Sequence, residues 1–293
     1  VNSYAFGPLD LWQIATFVAL LAAVVGLWIA PRVWWSCLAA ATVCGYIAGV
    51  LDPVAVVWLA LGWIVCEVYV RTPTESGPRR VLSILGVITM VVLLGLHVLP
   101  GFHNPLVIDH LKLTPDAAPY TLYLNFDKTF AGLLLIGVCY REWPGRAALR
   151  SVLRGQVGVL IVGNVMLLIG ASYLLGYVRL QPKWTTLFWF WSAVNLFSTC
   201  LSEEAFFRGF VQRELQAIGR NLPHGQLIAL GVSALLFGLA HFAGGWRYVL
   251  LATLAGMGYG YIYQRTQRLE CSLLAHFALN ATHFLCFTYP QLA

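Results

Sequence analysis

Charge is what this chain lacks. Of its 293 residues, 18 are Lys or Arg and 12 are Asp or Glu, so charged residues make up 10%, where an ordinary soluble domain carries about a quarter. With 59% of the chain apolar, there is too little polar surface to cover a soluble particle. A cytosolic enzyme and a nucleic-acid binder are excluded on that ground, in spite of the net charge of +6. No CxxC pair occurs among the seven cysteines, which lie in or beside apolar stretches. That argues against a disulfide framework or a thiolate zinc site and leaves small buried hydrophobes. The first apolar run has neither a positively charged start nor a small-residue cleavage pattern, so it reads as a retained span and not a signal peptide. Internal repeats and low-complexity tracts are missing too, and no polar stretch is long enough for an extramembrane domain.

What the chain has in quantity is long apolar runs. Residues 11–30, 33–51, 54–70, 81–100, 155–177, 184–202, 226–242, 247–263 and 269–287 each suit a helix crossing a bilayer, and a further helix is expected to begin before Asn125 and run to Tyr140. The expected fold is therefore all-α, a polytopic transmembrane helix bundle of eight to ten spans with the lipid bilayer as its surroundings. Glu67 stands four residues before Arg71, the spacing of a helical ion pair. Residues 101–128 form the longest loop, and Asn125-Phe126-Asp127-Lys128 is expected in the interface. Arg141, Arg146, Arg150 and Arg154 fall at intervals that suit one face of a helix on an anionic membrane surface. Residues 1–180 read as N-terminal helices without evident chemistry; residues 181–293 hold the polar groups that call for an explanation.

The first of these is Glu203-Glu204, directly after an apolar span and followed by Ala-Phe-Phe-Arg208. On a helix Glu204 and Arg208 share a face at i,i+4 and can pair, while Glu203 points about 100° away from that pair. Glu204 is thus cast as structural and Glu203 as available to take a proton from water. Downstream, His241, His276 and His283 fall inside apolar runs, where ionisable side chains are functional candidates. His241 precedes Gly244-Gly245, where the backbone can bend; His276 and Asn280 share one helical face. One carboxylate and one histidine can hold and deprotonate a water, and a second histidine with an amide can donate to the oxyanion formed when that water attacks a carbonyl. Glu203, His241 and His276 could equally bind zinc with an open position for water. The helical His-Glu-x-x-His signature is absent, which weakens the zinc alternative and leaves it open.

Taken in order, Glu203-Glu204-x-x-x-Arg208, Phe237-x-x-x-His241 and His276-x-x-x-Asn280 resemble the motifs of the CAAX-processing and bacteriocin-processing (CPBP, or Abi) intramembrane endopeptidases, the family of the Rce1 protease. The resemblance covers about a third of the chain, from Trp184 to Tyr289. It implies that Glu203 with His241 activates the water, that His276 and Asn280 stabilise the oxyanion, and that Glu204 and Arg208 support the site; His283 lies outside the motif and is expected to pack. The implied partner is a membrane-associated peptide or protein substrate, a C-terminal CAAX-type tail among the options, and the implied location a bacterial plasma membrane. The alternative is a non-enzymatic membrane protein that uses the same scaffold for immunity or partner binding. A proton-coupled carrier is a third option, although the sequence shows no internal repeat of the kind transporters carry. One conflict accompanies the ten-span arrangement. It would put Glu203 and His241 at opposite ends of neighbouring helices, roughly 20 Å apart at 1.5 Å per residue. Convergence of the site then requires the Glu-Glu helix to run on through Arg213 to Leu222, or a neighbouring span to be tilted or partial.

Overall fold

The computed structural model describes residues 7–30, 32–140 and 155–293. The expected basic face of Arg141, Arg146, Arg150 and Arg154 lies outside the described residues. The chain divides into two compact units, one drawn from Val1–Ile108, Leu122–Trp143 and Phe197–Ser202, the other from Asp109–Thr121, Pro144–Leu196 and Glu203–Ala293.

In the first unit, α1 (Leu11–Ile29) opens with a capping box in which Asp10 accepts from the Gln13 backbone N–H while the Gln13 side chain accepts from that of Asp10. Trp34, the first residue of α2 (Trp34–Ile47), lies against Gly26, where an added Cβ would sit 3.1 Å from the Trp34 Cβ. α3 (Pro53–Arg71) has Pro53 in its first turn, and the Asp52 carboxylate accepts from the backbone N–H groups of Val54 and Ala55. Glu67 and Arg71 form the i,i+4 pair expected of them, at 3.0 Å. α4 (Pro78–Gly95) and α5 (Phe126–Leu134) follow, the latter running on in π-helical winding over Leu135–Cys139. Within the Asn125–Lys128 segment, Asp127 is 1% exposed, accepts from the Asn104 amide at 3.0 Å and pairs with His97 Nδ1 at 2.8 Å. Residues read as one long loop contain β1 (Leu106–Leu111) and β2 (Tyr120–Tyr123), which form a two-stranded sheet. Leu-Val-Ile and Tyr-Thr-Leu-Tyr are the branched and aromatic types that suit strands, in runs too short to show an alternating pattern.

The second unit holds α6 (Gly155–Leu174), α8 (Gly225–Leu239), α9 (Gly245–Thr266) and α10 (Leu269–Cys286), and most of α7, an unbroken helical rod over residues 187–218. α7 alternates α-helical with wider π-helical winding, the latter at Asn195–Cys200 and Ala205–Gln212. Leu168, Phe207, Phe237, Ala252, Ala255, Tyr259, Ile262, Cys271 and Ala275 form the core between these helices. Small residues let α8 and α9 approach closely. A Cβ on Gly256 would stand 3.0 Å from the Ala234 Cα, and one on Gly260 2.5 Å from Leu230 Cδ1.

By length and apolar composition, four helices among the described residues can cross a membrane: Leu11–Ile29, Pro53–Arg71, Pro78–Gly95 and Gln156–Leu174. A fifth crossing follows if Gly225–Leu239 and Phe242–Thr266, bent by 57° at the break between them, count as one. The fold is all-α in its helices and suits an integral membrane protein, but the count of eight to ten is not met by this measure. The reasons are physical. At 1.5 Å per residue α2 covers only about 21 Å of a hydrocarbon core some 30 Å thick. α7 carries Glu203, Glu204, Arg208, Arg213 and Glu214, and α10 carries Glu270 and two histidines, so neither is the uninterrupted apolar run that a span by composition requires.

The break between α8 and α9 is buttressed at Gly238, where an added Cβ would lie 2.8 Å from the Val249 carbonyl oxygen and 1.9 Å from Thr253 Oγ1. The Gly238→Ala variant is expected to lower stability by about 1–3 kcal/mol, the usual cost of overpacking against backbone. Thermal unfolding in detergent checks this, and a midpoint equal to the parent's would contradict it.

Candidate active site

α7 continues past the carboxylate pair to Ile218, and α8 begins only at Gly225. The polypeptide between Glu203 and His241 therefore runs out along α7 and returns along α8. This continuation of the Glu-Glu helix is what brings the two residues together. His241 lies at the break before α9, with φ −100° and ψ 16°, and Gly245 takes φ +83°, a backbone state that glycine adopts without strain.

Glu203, Glu204, Arg208, His241 and His276 converge on one polar cluster. Glu203 Oε2 is 4.0 Å from His241 Nε2 and 4.0 Å from His276 Nε2, and its side chain keeps 16% of its surface exposed. Behind it, the Glu204 and Arg208 side chains are fully buried. Glu204 Oε1 accepts from Arg208 Nη1 at 2.9 Å and faces His276 Nδ1 at 2.8 Å. Arg208 Nη2 donates to the Gly256 carbonyl at 3.1 Å, and its guanidinium lies 4.5 Å from the Phe237 ring centroid. A cation buried to this degree is tolerable only because a carboxylate, a carbonyl and an aromatic face surround it.

The histidine nitrogens can be assigned from their partners. A carbonyl only accepts, so His241 Nδ1, 2.7 Å from the Phe237 carbonyl oxygen, carries the hydrogen. In the neutral ring Nε2 then offers a lone pair toward Glu203. His276 Nδ1 donates to Glu204 in the same way, held against Arg208, and Nε2 again faces Glu203. The His276 ring is clamped by Tyr259, stacked at 4.7 Å with the planes 16° apart. Asn280, one turn along α10 from His276, reaches the α7 residue Asn195: Asn280 Nδ2 donates to Asn195 Oδ1 at 3.2 Å.

His283 pairs elsewhere, through Nε2 with the Thr288 carbonyl at 3.0 Å and by ring contact with Tyr289. The stretch Gly258-Tyr-Gly-Tyr that leads into the His276 motif also resembles the family pattern, but nothing in the sequence assigns Tyr259 itself a role. Sequence reasoning missed Gln212, wholly buried, whose amide donates to the Gly260 carbonyl at 3.1 Å, one turn beyond the contact of Arg208 with Gly256. The available signal was spacing: Arg208 and Gln212 stand four apart, as do Gly256 and Gly260.

Zinc fits this arrangement poorly. Ligands about 2.0–2.2 Å from a tetrahedral ion stand roughly 3.3–3.6 Å from each other, and Glu203 Oε2 is 4.0 Å from both imidazole nitrogens. Among the described residues no group of three or more His, Cys, Asp or Glu side chains is arranged to hold a metal ion.

The Glu204–Arg208 pair generates a stability prediction. The Arg208→Ala variant leaves a carboxylate buried without its cation and is expected to cost about 3–5 kcal/mol. The double variant Glu204→Gln/Arg208→Met removes both charges and should recover much of the loss. Thermal unfolding of the parent and both variants in one detergent decides it; a double variant no more stable than Arg208→Ala would count against a charge-driven cost.

Compared with known families, residues 183–282, roughly a third of the chain, match the model of the Rce1-like family of type II CAAX prenyl endopeptidases. The chain matches no curated protein and no solved structure.

Proposed function

From the premise that residues 183–282 are Rce1-like, we propose that this chain is an intramembrane endopeptidase that hydrolyses a peptide bond with a water activated by Glu203 and His241. The observation that carries the proposal is the 4.0 Å separation of Glu203 Oε2 and His241 Nε2. That gap is too long for a direct hydrogen bond and short enough for one water to bridge. Both groups accept, so a water between them donates both of its hydrogens and keeps a lone pair for attack on a carbonyl carbon.

Glu203 takes one proton as the new C–O bond forms. Negative charge moves to the carbonyl oxygen, where His276, as an imidazolium that donates from Nδ1 to Glu204 and from Nε2 to the substrate, and the Asn280 amide stabilise it. Collapse of the tetrahedral intermediate breaks the C–N bond, and the proton held by Glu203 passes to the departing amine. Glu204 and Arg208 do not touch the substrate in this scheme. They fix His276 through Nδ1 so that Nε2 faces the reaction. No step passes through a metal.

The family match supports a peptide substrate in a membrane setting. We assign its class as the C-terminal tail of a membrane-associated protein, cut in CAAX fashion. In this reading the hydrolytic core comprises residues 181–293, the N-terminal helices of 1–180 carry no assigned chemistry, the whole forms a bundle of eight to ten crossings, and the short connectors point to a bacterial plasma membrane.

Purified protein offered a fluorogenic, farnesylated peptide ending in a CAAX sequence tests the assignment. Glu203→Ala and His241→Ala are each expected to lower kcat by about 10²-fold or more while thermal unfolding stays near that of the parent. Parent-like turnover by either variant would refute the mechanism.

A further inference from the structure

Asn195 is the single amide side chain in its apolar run of residues 184–202, and neither the motifs nor the family match gives it a role. It opens the first π-helical stretch of α7, Asn195–Cys200. Eight residues separate it from Glu203, which on a regular α-helix would turn the two about 80° apart. A π turn accommodates one extra residue, which resets the helical phase by roughly 100°. The π stretch thus brings Asn195 close to the face that carries Glu203. Irregular winding of this kind forfeits regular hydrogen bonding and recurs where a helix must aim a side chain at a site.

What it aims Asn195 at is Asn280. The Asn195 Oδ1 accepts from Asn280 Nδ2 at 3.2 Å, while nine residues further along α7 Glu204 Oε1 holds His276 Nδ1 at 2.8 Å. Each of the two α10 residues assigned to the oxyanion is therefore held by a side chain of α7. An amide has two Nδ2 hydrogens and a side chain that rotates; fixing one hydrogen on an acceptor fixes the direction of the other. We propose that Asn195 is a positioning residue that orients the Asn280 amide for the oxyanion, as Glu204 orients His276. The inference rests on the hydrolytic reading above and adds to it a residue that never meets the substrate.

The same farnesylated CAAX peptide tests it. Removing an oxyanion donor outright costs about 10²–10³ in kcat, and losing its orientation should cost less, about 10-fold, with KM unchanged. The Asn195→Ala variant is expected to show that loss. Asn195→Asp retains the accepting oxygen at nearly the same volume and should return most of the rate, which a packing role would not require. Parent-like kcat for Asn195→Ala, or an Asp variant as slow as Ala, would overturn the proposal. Glu203→Ala assayed alongside separates the two ideas: if it is inactive while Asn195→Ala is unimpaired, the positioning role alone fails. If the parent itself does not cut the peptide, the chosen substrate class fails. The pairing is then tested by a double-mutant cycle of Asn195→Ala and Asn280→Ala on thermal unfolding, where strictly additive effects would overturn it.

Discussion

The buried carboxylate of Glu204 is the constraint on which the rest of the second unit depends. One oxygen serves two donors on different helices, Arg208 on its own helix and His276 on α10. An unpaired carboxylate at this depth would cost several kcal/mol, and so would an unpaired guanidinium. Arg208 Nη2 finds an acceptor across the helix interface in the Gly256 carbonyl of α9, while Arg208 Nε and Glu204 Oε2 stay buried without a hydrogen-bond partner among the described residues. Three helices are thus tied together by the need to satisfy one ion pair away from water. The same requirement fixes the imidazole: with Nδ1 committed to Glu204 and a ring face on Tyr259, His276 has little freedom left.

The glycines of α9 follow from that demand. A helix carbonyl already bonded within its own helix can take a second donor only if nothing bulky covers it. At Gly256 and Gly260 a side chain would have met Ala234 and Leu230, so α8 could not have come as near. Close approach of α8 at both glycines, and of the Gln212 side chain at Gly260, where an added Cβ would lie 2.8 Å from its Oε1, are consequences of the same two missing Cβ atoms. The winding of α7 belongs to the same account. Ala205–Gln212 is π-helical, and within it the Phe207 carbonyl accepts from Ser233 Oγ of α8 at 2.8 Å.

This explains which parts were legible in the sequence. Side chains with an obligatory chemistry announce themselves in apolar surroundings: Glu203, Glu204, Arg208, His241, His276 and Asn280 stood out because charge and amides are scarce around them, and i,i+4 spacing identified the Glu204–Arg208 pair. The helices came through for the same reason, since apolar runs bounded by Pro, Asp and Arg have few other forms available. Span counting carried over in part: among the described residues four helices, or five with the bent pair, have the length and apolar composition to cross, and α2 is apolar but covers only about 21 Å. The strands β1 and β2 are too brief for alternation to show. The π stretches of α7 left no mark either, because their winding is selected by partners on other helices: Ser233, Gly256 and Asn280 lie from 26 to 85 residues after the α7 residues they contact.

Depth of burial divides the labour among the polar groups. Glu204 and Arg208 are sealed from solvent, whereas Glu203 retains 16% of its surface and His241 19%. A sealed ion pair holds its geometry because every displacement uncovers an unsatisfied charge. A partly open carboxylate can exchange a proton with water and admit a carbonyl. Adjacent glutamates on one helix turn by about 100° from one to the next, which is enough to put one carboxylate in the packed interior and its neighbour at the opening. In the proposed mechanism the doublet is thus the shortest way for a single helix to supply both a rigid support and a reactive group, and moving either glutamate by one position would turn its carboxylate about 100° away.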